Sequence, residues 1–362
     1  MFVSKRHFAT LACTGAVALT AGCGSSSPSG GASSSGGTAS SLCGSKAIKL
    51  GMVDGSTNSF LKIAEAEVKA KYASCSNITI NYQTANNSAD AYNAAVNADA
   101  AQGFDAIITN DSVGDQGLSS LKAAYQAGLV VVPYINVPTG DPGTTFTSAV
   151  HIGLKAEADK WANWLNKQLN GSGNIIFMGG PAGNPASQTA FDMLKQSLAT
   201  TAPNIKFLED APVTTGWDPA VEQKAMAGLI TKYPKIDAIV ADYGGAALGS
   251  IRAFQTASVP VPPLATTALN NEFGCSVAKI KTTSPNFQLM SVDGVVRISA
   301  VAAGIAIQAV HSQSKQVPAV DFTDFIIWDT TGSNPPKCDP SLPPDADLSS
   351  SLSASQLAKV FG

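Results

Sequence analysis

Arginine and histidine are nearly missing from this chain of 362 residues, with three of each. Charged residues make up only 14% of it and the net charge is −3, more negative still without Lys5 and Arg6 of the leader. No basic stretch is present to neutralise phosphates, which excludes nucleic acid as a partner. His7 lies in the leader, so only His151 and His311 remain for acid–base work, and His311 ends an apolar helical stretch where its charge suits the C-terminal dipole. There is no G-x-S-x-G elbow, no Walker A loop and no H-E-x-x-H. Gly171-Ser172-Gly173 precedes a strand candidate rather than following it, so it is a turn and not a dinucleotide fingerprint. No C-x-x-C and no Cys/His spacing suits zinc. The expectation is a protein that is not an enzyme and needs no cofactor or metal. Long apolar runs are lacking too. The run from Phe8 to Leu19 is too short to span a bilayer, and Asp293 and Arg297 interrupt the stretch 292–310, which reads as a buried helix.

What is present begins with an address. Lys5 and Arg6, the apolar run and Leu19-Thr20-Ala21-Gly22-Cys23 have the parts of a secretory signal, 1–22. The ending is similar to a bacterial lipobox, in which Cys23 is lipidated. Residues 24–41 hold nine Ser, five Gly and no charge, a flexible tether reaching roughly 20–25 Å. A lipid on Cys23 with the tether 23–45 would hold a folded body beside a membrane. Cys43, Cys75, Cys275 and Cys338 remain, and four thiols allow three pairings. Cys43–Cys75 and Cys275–Cys338 are favoured, because each pair falls within one lobe region and an exported chain meets an oxidising compartment.

From Lys46 onward, short apolar runs alternate with amphipathic stretches. Strand candidates are 47–53, 78–82, 105–109 and 129–135, then 174–179, 205–210, 237–241, 263–267 and 287–291. Helical periods fill gaps at 60–72, 89–102 and 154–169, and Asp218-Pro219 supplies an N-cap and a first-turn proline for a helix to about Lys232. This alternation means an α/β protein with right-handed crossovers and parallel sheets. Two series of strands imply two doubly wound, Rossmann-like lobes, with ligands bound outside the carboxyl ends of the strands.

The loops after those ends carry Asp54 to Phe60, Asn110-Asp111-Ser112, Asn136, Asn184, Thr215 to Asp218, Asp242-Tyr243 and Asn270 to Phe273. Aromatic faces cover apolar C–H surface while amides and carboxylates satisfy hydroxyls in both senses, a combination suited to a polyhydroxylated solute. Taken singly, Asn and Asp also cap helices and turns. Their recurrence at one end of successive strands is what points to a site.

In order and spacing, VDGSTNSF, DAIITN, AGLVVVPYIN, GGPAGNPASQTAF, TTGWDPA, DAIVADYGGAALGSIRAF and FQLMSVDG resemble the ribose-binding-protein group of bacterial ABC transporter substrate-binding proteins, from about residue 46 to about 328. The resemblance implies a type I periplasmic binding protein fold with a three-segment hinge: one lobe from 46–150 plus 292–322, the other from 151–291 plus 323–362. It implies capture of a solute by hinge closure and delivery to permease subunits, by a monomer anchored outside the cytoplasm. Carried over by position, Asp54, Asn58 and Phe60 fall in the first binding loop, and Trp217 stacks on the ligand. Tyr243 stands where the group usually has Asn, Asn270 near its ligand-binding Asp, and Ser291 at the last hinge where Gln is frequent. Asn136 occupies the place of an Asp-Arg pair, and Gln188 that of a further Arg. Arg252 and Arg297 fall on helical stretches. A cleft without Arg lacks the fork for carboxylate or phosphate, so the expected solute is a neutral sugar, polyol or similar small molecule. A cationic or aromatic solute is the alternative, as is a receptor domain partnering a membrane signalling protein. The tail past Trp328 extends beyond the group's pattern, and Cys338 suggests that it wraps a lobe.

Overall fold

The computed structural model describes residues 42–56 and 58–362. The leader, Cys23 and most of the tether lie outside the described residues. Four parallel strands, β1 (Ile48–Asp54), β2 (Ile78–Thr84), β3 (Ala106–Asn110) and β4 (Val130–Pro133), form the first sheet in the order β2-β1-β3-β4. Three helices connect them: α1 (Ser59–Lys71), α2 (Ala89–Ala101) and α3 (Leu118–Gln126). The inner strands are apolar on both faces because both faces are covered. Ile48, Leu50 and Met52 with Ala106, Ile108, Val130 and Val132 enter one core. Val53, Ile107 and Val131 alternate into the other, beneath α2 and α3.

The second sheet repeats the plan. It comprises β6 (Ser172–Gly179), β7 (Asn204–Phe207), β8 (Val213–Thr214), β9 (Ala238–Ala241), β10 (Leu264–Thr267), β11 (Leu289–Asp293) and β13 (Ile326–Asp329), in the order β13-β11-β10-β9-β6-β7 with β8 beside β6. Only β13 is antiparallel. Its helices are α4 (Leu154–Gln168), α5 (Pro185–Thr201), α6 (Pro219–Lys232), α7 (Gly244–Thr256) and α8 (Asn271–Thr283). Asp218 caps α6 through Ala220 and Val221, with Pro219 at the first helical position. The expected α/β pair of doubly wound lobes is therefore present.

Three hinge segments pass between the lobes, ahead of a later crossing by the tail. β5 (Val150–Ile152) pairs in parallel with β12 (Val320–Phe322), giving two of them. The third leaves β11 through Gly294 at φ 90° into a 3-10 turn, Val295–Arg297, and then α9 (Ile298–Ser312). Asp293 thus ends a strand instead of opening the helix expected at 292–310. The turn and α9 together, Val295–Ser312, are long and apolar enough to cross a membrane, but α9 packs into the first-lobe core through Ile298, Ala302, Ala303, Ala306 and Val310. His311 closes it, with Nε2 3.2 Å from the Cys43 carbonyl oxygen. Both disulfides form as expected, Cys43–Cys75 in the first lobe and Cys275–Cys338 joining α8 to the tail.

The tail, expected whole on the second lobe, divides. Its first part stays there: Asp339 N donates to Asn271 Oδ1, and Asn271 Nδ2 donates to the Asp339 and Leu342 carbonyls. Gly274 allows this approach, since a Cβ there would lie 1.9 Å from the Lys337 carbonyl oxygen. The chain then crosses to the first lobe. Ser349 accepts from the Gly294 N–H, Ser351 donates from both N and Oγ to Glu67, and α10 (Ala354–Phe361) lies against α1 with Leu352 and Leu357 in the first-lobe core. Apolar residues at 352, 357, 360 and 361 need a covered face, and they find it on the first-lobe core.

Candidate functional site

The carboxyl ends of both sheets face one cleft. The first lobe contributes Ser56, Asn58, Phe60, Asn110, Ser112 and Asn136. Glu157, Trp217, Asp242, Tyr243 and Thr267 line the opposing side. Tyr243 and Ala268 also pack against the first-lobe core, so the lobes touch at the back of the cleft.

Local structure explains several placements. Asn58 caps α1, its side chain accepting from Leu61 N at 2.9 Å. Asn136 Nδ2 donates to Asn110 Oδ1 at 2.7 Å, which fixes two amides side by side. Trp217 follows Gly216, and both adopt left-handed φ, 57° and 66°. Ile135 and Ala268 on the cleft wall are left-handed too, at 60° and 52°. Such φ in a β-branched residue is costly and is tolerated where the surroundings fix it. The Trp217 indole is locked from below: its Nε1 donates to Asp242 Oδ1 at 2.9 Å, while Ser187 Oγ donates to Oδ2 of the same carboxylate.

Gly180 makes room for that ring. A Cβ at this position would come within 2.4 Å of the indole. Gly180→Ala is therefore expected to displace Trp217 and break its bond to Asp242. Near-ultraviolet circular dichroism reads this directly, and an unchanged tryptophan signal would contradict it.

Burial governs the acids. It pushes Asp242 up to about 6, with Ser187 and Trp217 pulling the other way. Glu157 is pushed up to about 8 by burial, against a hydrogen bond with Thr267 and with Asp242 adding repulsion. The Tyr243 phenol is raised to about 12, mainly by burial.

Of the residues expected from the sequence, Asn58, Phe60, Asn136, Trp217 and Tyr243 come together on the cleft wall. Asp54 lies beneath it, fully buried, where Oδ1 accepts from Tyr134 Oη at 2.7 Å and from Asn110 N at 3.2 Å. It supports Asn110 and does not face the cleft. Gln188 is exposed on α5 and donates to Asp192. Asn270 spends its side chain on capping α8 through Phe273 N. Ser291 is buried inside β11. These three stand outside the lining.

Glu157 was not anticipated. Its signal was a carboxylate on the buried stripe of α4, beside Ala158, Trp161, Ala162 and Leu165. Asn110, Ser112 and Asp242 sit in loops that the sequence did single out, though no role was attached to them. Both remaining arginines lie elsewhere: Arg252 pairs with Glu272, and Arg297 with Asp324. Among the described residues, the lining contains no lysine, arginine or histidine.

Residues 52–274 match the family model described as a periplasmic binding protein domain. Among solved structures, the arabinose-binding component of an ABC transporter from Shewanella sp. ANA-3, bound to arabinofuranose, is 21% identical. It superposes with a TM-score of 0.66 over 78% of this chain and 91% of its own. A solute-binding protein of an ABC transporter from Bacillus halodurans C-125 with bound myo-inositol is 18% identical, with a TM-score of 0.66 over 78% and 94%. The fructose-binding periplasmic domain of a hybrid two-component system is 16% identical, with a TM-score of 0.66 over 79% and 91%. No curated protein matches the chain. With the family model spanning most of both lobes and the same two-lobed fold in these structures, the chain belongs to the periplasmic binding protein family.

Proposed function

We propose that the chain is the extracytoplasmic solute-binding subunit of an ABC importer, without catalytic activity, closing its lobes on a sugar, polyol or similar small solute. The observation that carries this reading is the composition of the cleft. Phe60, Trp217 and Tyr243 offer ring surface, and Asn58, Asn110 and Asn136 offer paired donors and acceptors. The absence of any cation in the lining, among the described residues, disfavours carboxylates and phosphates. The arabinose and myo-inositol bound by similar folds support the same class. Asn58, Phe60, Asn136, Trp217 and Tyr243 are the residues proposed to touch the solute. The lipobox at Cys23 and its Ser/Gly tether support attachment to the membrane beside the permease, as a monomer.

A thermal-shift screen over sugars, polyols and small amines tests the proposal. A ligand at 100 times its Kd adds about 2.7 kcal/mol to a folded binder. No shift from any compound, with folded protein, would sink it. Trp217→Ala should remove whatever shift is found, and a retained shift would take Trp217 out of the site.

The fructose-binding domain of a two-component system favours a second reading on the same fold, a ligand-sensing receptor domain. Stimulation of a permease ATPase by the loaded protein distinguishes import, and stimulation of a membrane kinase distinguishes sensing.

A further inference from the structure

Two carboxyl groups share one wall of the cleft, and they are not equivalent. Both oxygens of Asp242 are occupied, by Trp217 and Ser187. Glu157 is 1% exposed, lines the cleft, and its Oε1 has no hydrogen-bond partner among the described residues. The charged groups that act on it are acids: Asp242 after β9 and Asp293 at the end of β11. Among the described residues, Thr267 on β10 gives it polar support. Arg252 and Arg297 are held elsewhere by Glu272 and Asp324.

A buried acceptor left unpaired costs more than an ordinary hydrogen bond returns. Negative charge buried without a counter-charge costs more again. A neutral hydroxyl accounts for one bond to Oε1. It supplies no counter-charge to the carboxyl group, and neither does any lining residue among those described. A positive group on the ligand supplies both, and the faces of Phe60, Trp217 and Tyr243 on the same cleft attract a cation further.

We propose that the captured solute carries a protonated amino group beside its hydroxyls, as an amino sugar or amino polyol does, and that Glu157 takes this group and selects it over the neutral parent. The proposal rests on the solute-capture reading and narrows its substrate class. Burial holds the Glu157 carboxyl in its protonated form in the empty cleft, up to about 8. An entering ammonium stabilises the carboxylate, so the carboxyl proton passes to solvent and an ion pair replaces it. A neutral sugar leaves that proton in place.

Isothermal titration calorimetry at neutral pH, in phosphate and in imidazole buffers, tests this with matched pairs. Suitable pairs are glucose and glucosamine, galactose and galactosamine, and myo-inositol with an amino-deoxy-inositol. The amino member of at least one pair should bind about tenfold tighter or more than its parent and release up to about one proton, seen as a buffer-dependent heat. Glu157→Gln should weaken that member by about thirtyfold and abolish the proton release. Proton release by the unmodified protein is a readout that stands even if the variant folds poorly. Neutral members binding as tightly as amino members, or amino members binding without proton release, would overturn the proposal while leaving solute capture standing. Binding by no member of any pair counts against solute capture itself, and the proposal falls with it.

Discussion

Removing residues 346–362 should lower the melting temperature by about 5 °C or more. The tail is a strap with both ends fastened. On the second lobe it is held by Cys275–Cys338, by Asn271 and by the N–H of Glu272, which donates to the Pro344 carbonyl. On the first lobe, Leu352 and Leu357 are buried in the core. Each buried leucine is worth about 1.5–3 kcal/mol relative to exposure, so together they contribute roughly 3–6 kcal/mol. A change of 1 kcal/mol moves the midpoint of a folded body of this size by about 1.5 °C. Further losses follow at Glu67, which is 2% exposed and would lose both donors from Ser351. One term opposes: Asp347 adds repulsion to Asp293, and deletion removes it. The leucines outweigh it, because Asp347 is itself held by Ser349. Leu352→Ala with Leu357→Ala in the full chain should reproduce most of the loss without cutting the strap. Thermal denaturation followed by circular dichroism decides the matter. A truncated protein melting within about 2 °C of the full chain would show that the tail is merely laid on the surface.

This strap was the least legible part of the sequence, for a physical reason. Ser351 meets Glu67 across 284 positions, and nothing local marks such a contact. The strands were readable because parallel strands covered on both faces must be apolar throughout, as 130–133 and 238–241 are. Cleft residues that directly follow strand ends were readable for a related reason: the sheet's polarity decides where Asn58, Trp217 and Tyr243 must lie. Rotation about a helix or strand was not readable. On α5, Ser187 turns in to Asp242 while Gln188, one residue and about 100° later, points to solvent. On β11, Ser291 enters the sheet's interior, and the chain reaches the hinge only beyond Asp293. Asn270 met a competing use, since an asparagine before a helix satisfies an orphan N–H there. Glu157 reaches the cleft through the hinge crossing at β5, which no strand-end rule anticipates.

Stability should fall as pH rises from about 5 to about 8, with the melting temperature dropping by about 5 °C or more. The cause is a set of carboxyl groups buried without cations. Burial pushes Asp54 and Asp111 up to about 7, and Glu157 and Glu222 up to about 8. In the unfolded chain such groups titrate near 4. Between those values the native state binds more protons than the unfolded state, so each increment of pH favours unfolding. The contribution is complete below the unfolded pKa and is lost as pH rises through the native one. Two such groups, each holding its proton to a pH only tenfold lower in proton concentration than the unfolded chain does, already account for about 2.7 kcal/mol. Asp159 and Glu209 are lowered by hydrogen bonds from Lys155 and Lys232, which gives the opposite sign, but they act below this window. Glu222 isolates the effect, because it lies outside the cleft and its Oε1 accepts from Ser250 Oγ at 2.6 Å. Glu222→Gln keeps an acceptor for Ser250 and removes the proton equilibrium. The variant should therefore melt higher than the parent near pH 8 and alongside it near pH 5, which flattens the profile. A parent profile that is level or climbs across this range would mean that the buried acids are ionised in the native protein and paired in some other way.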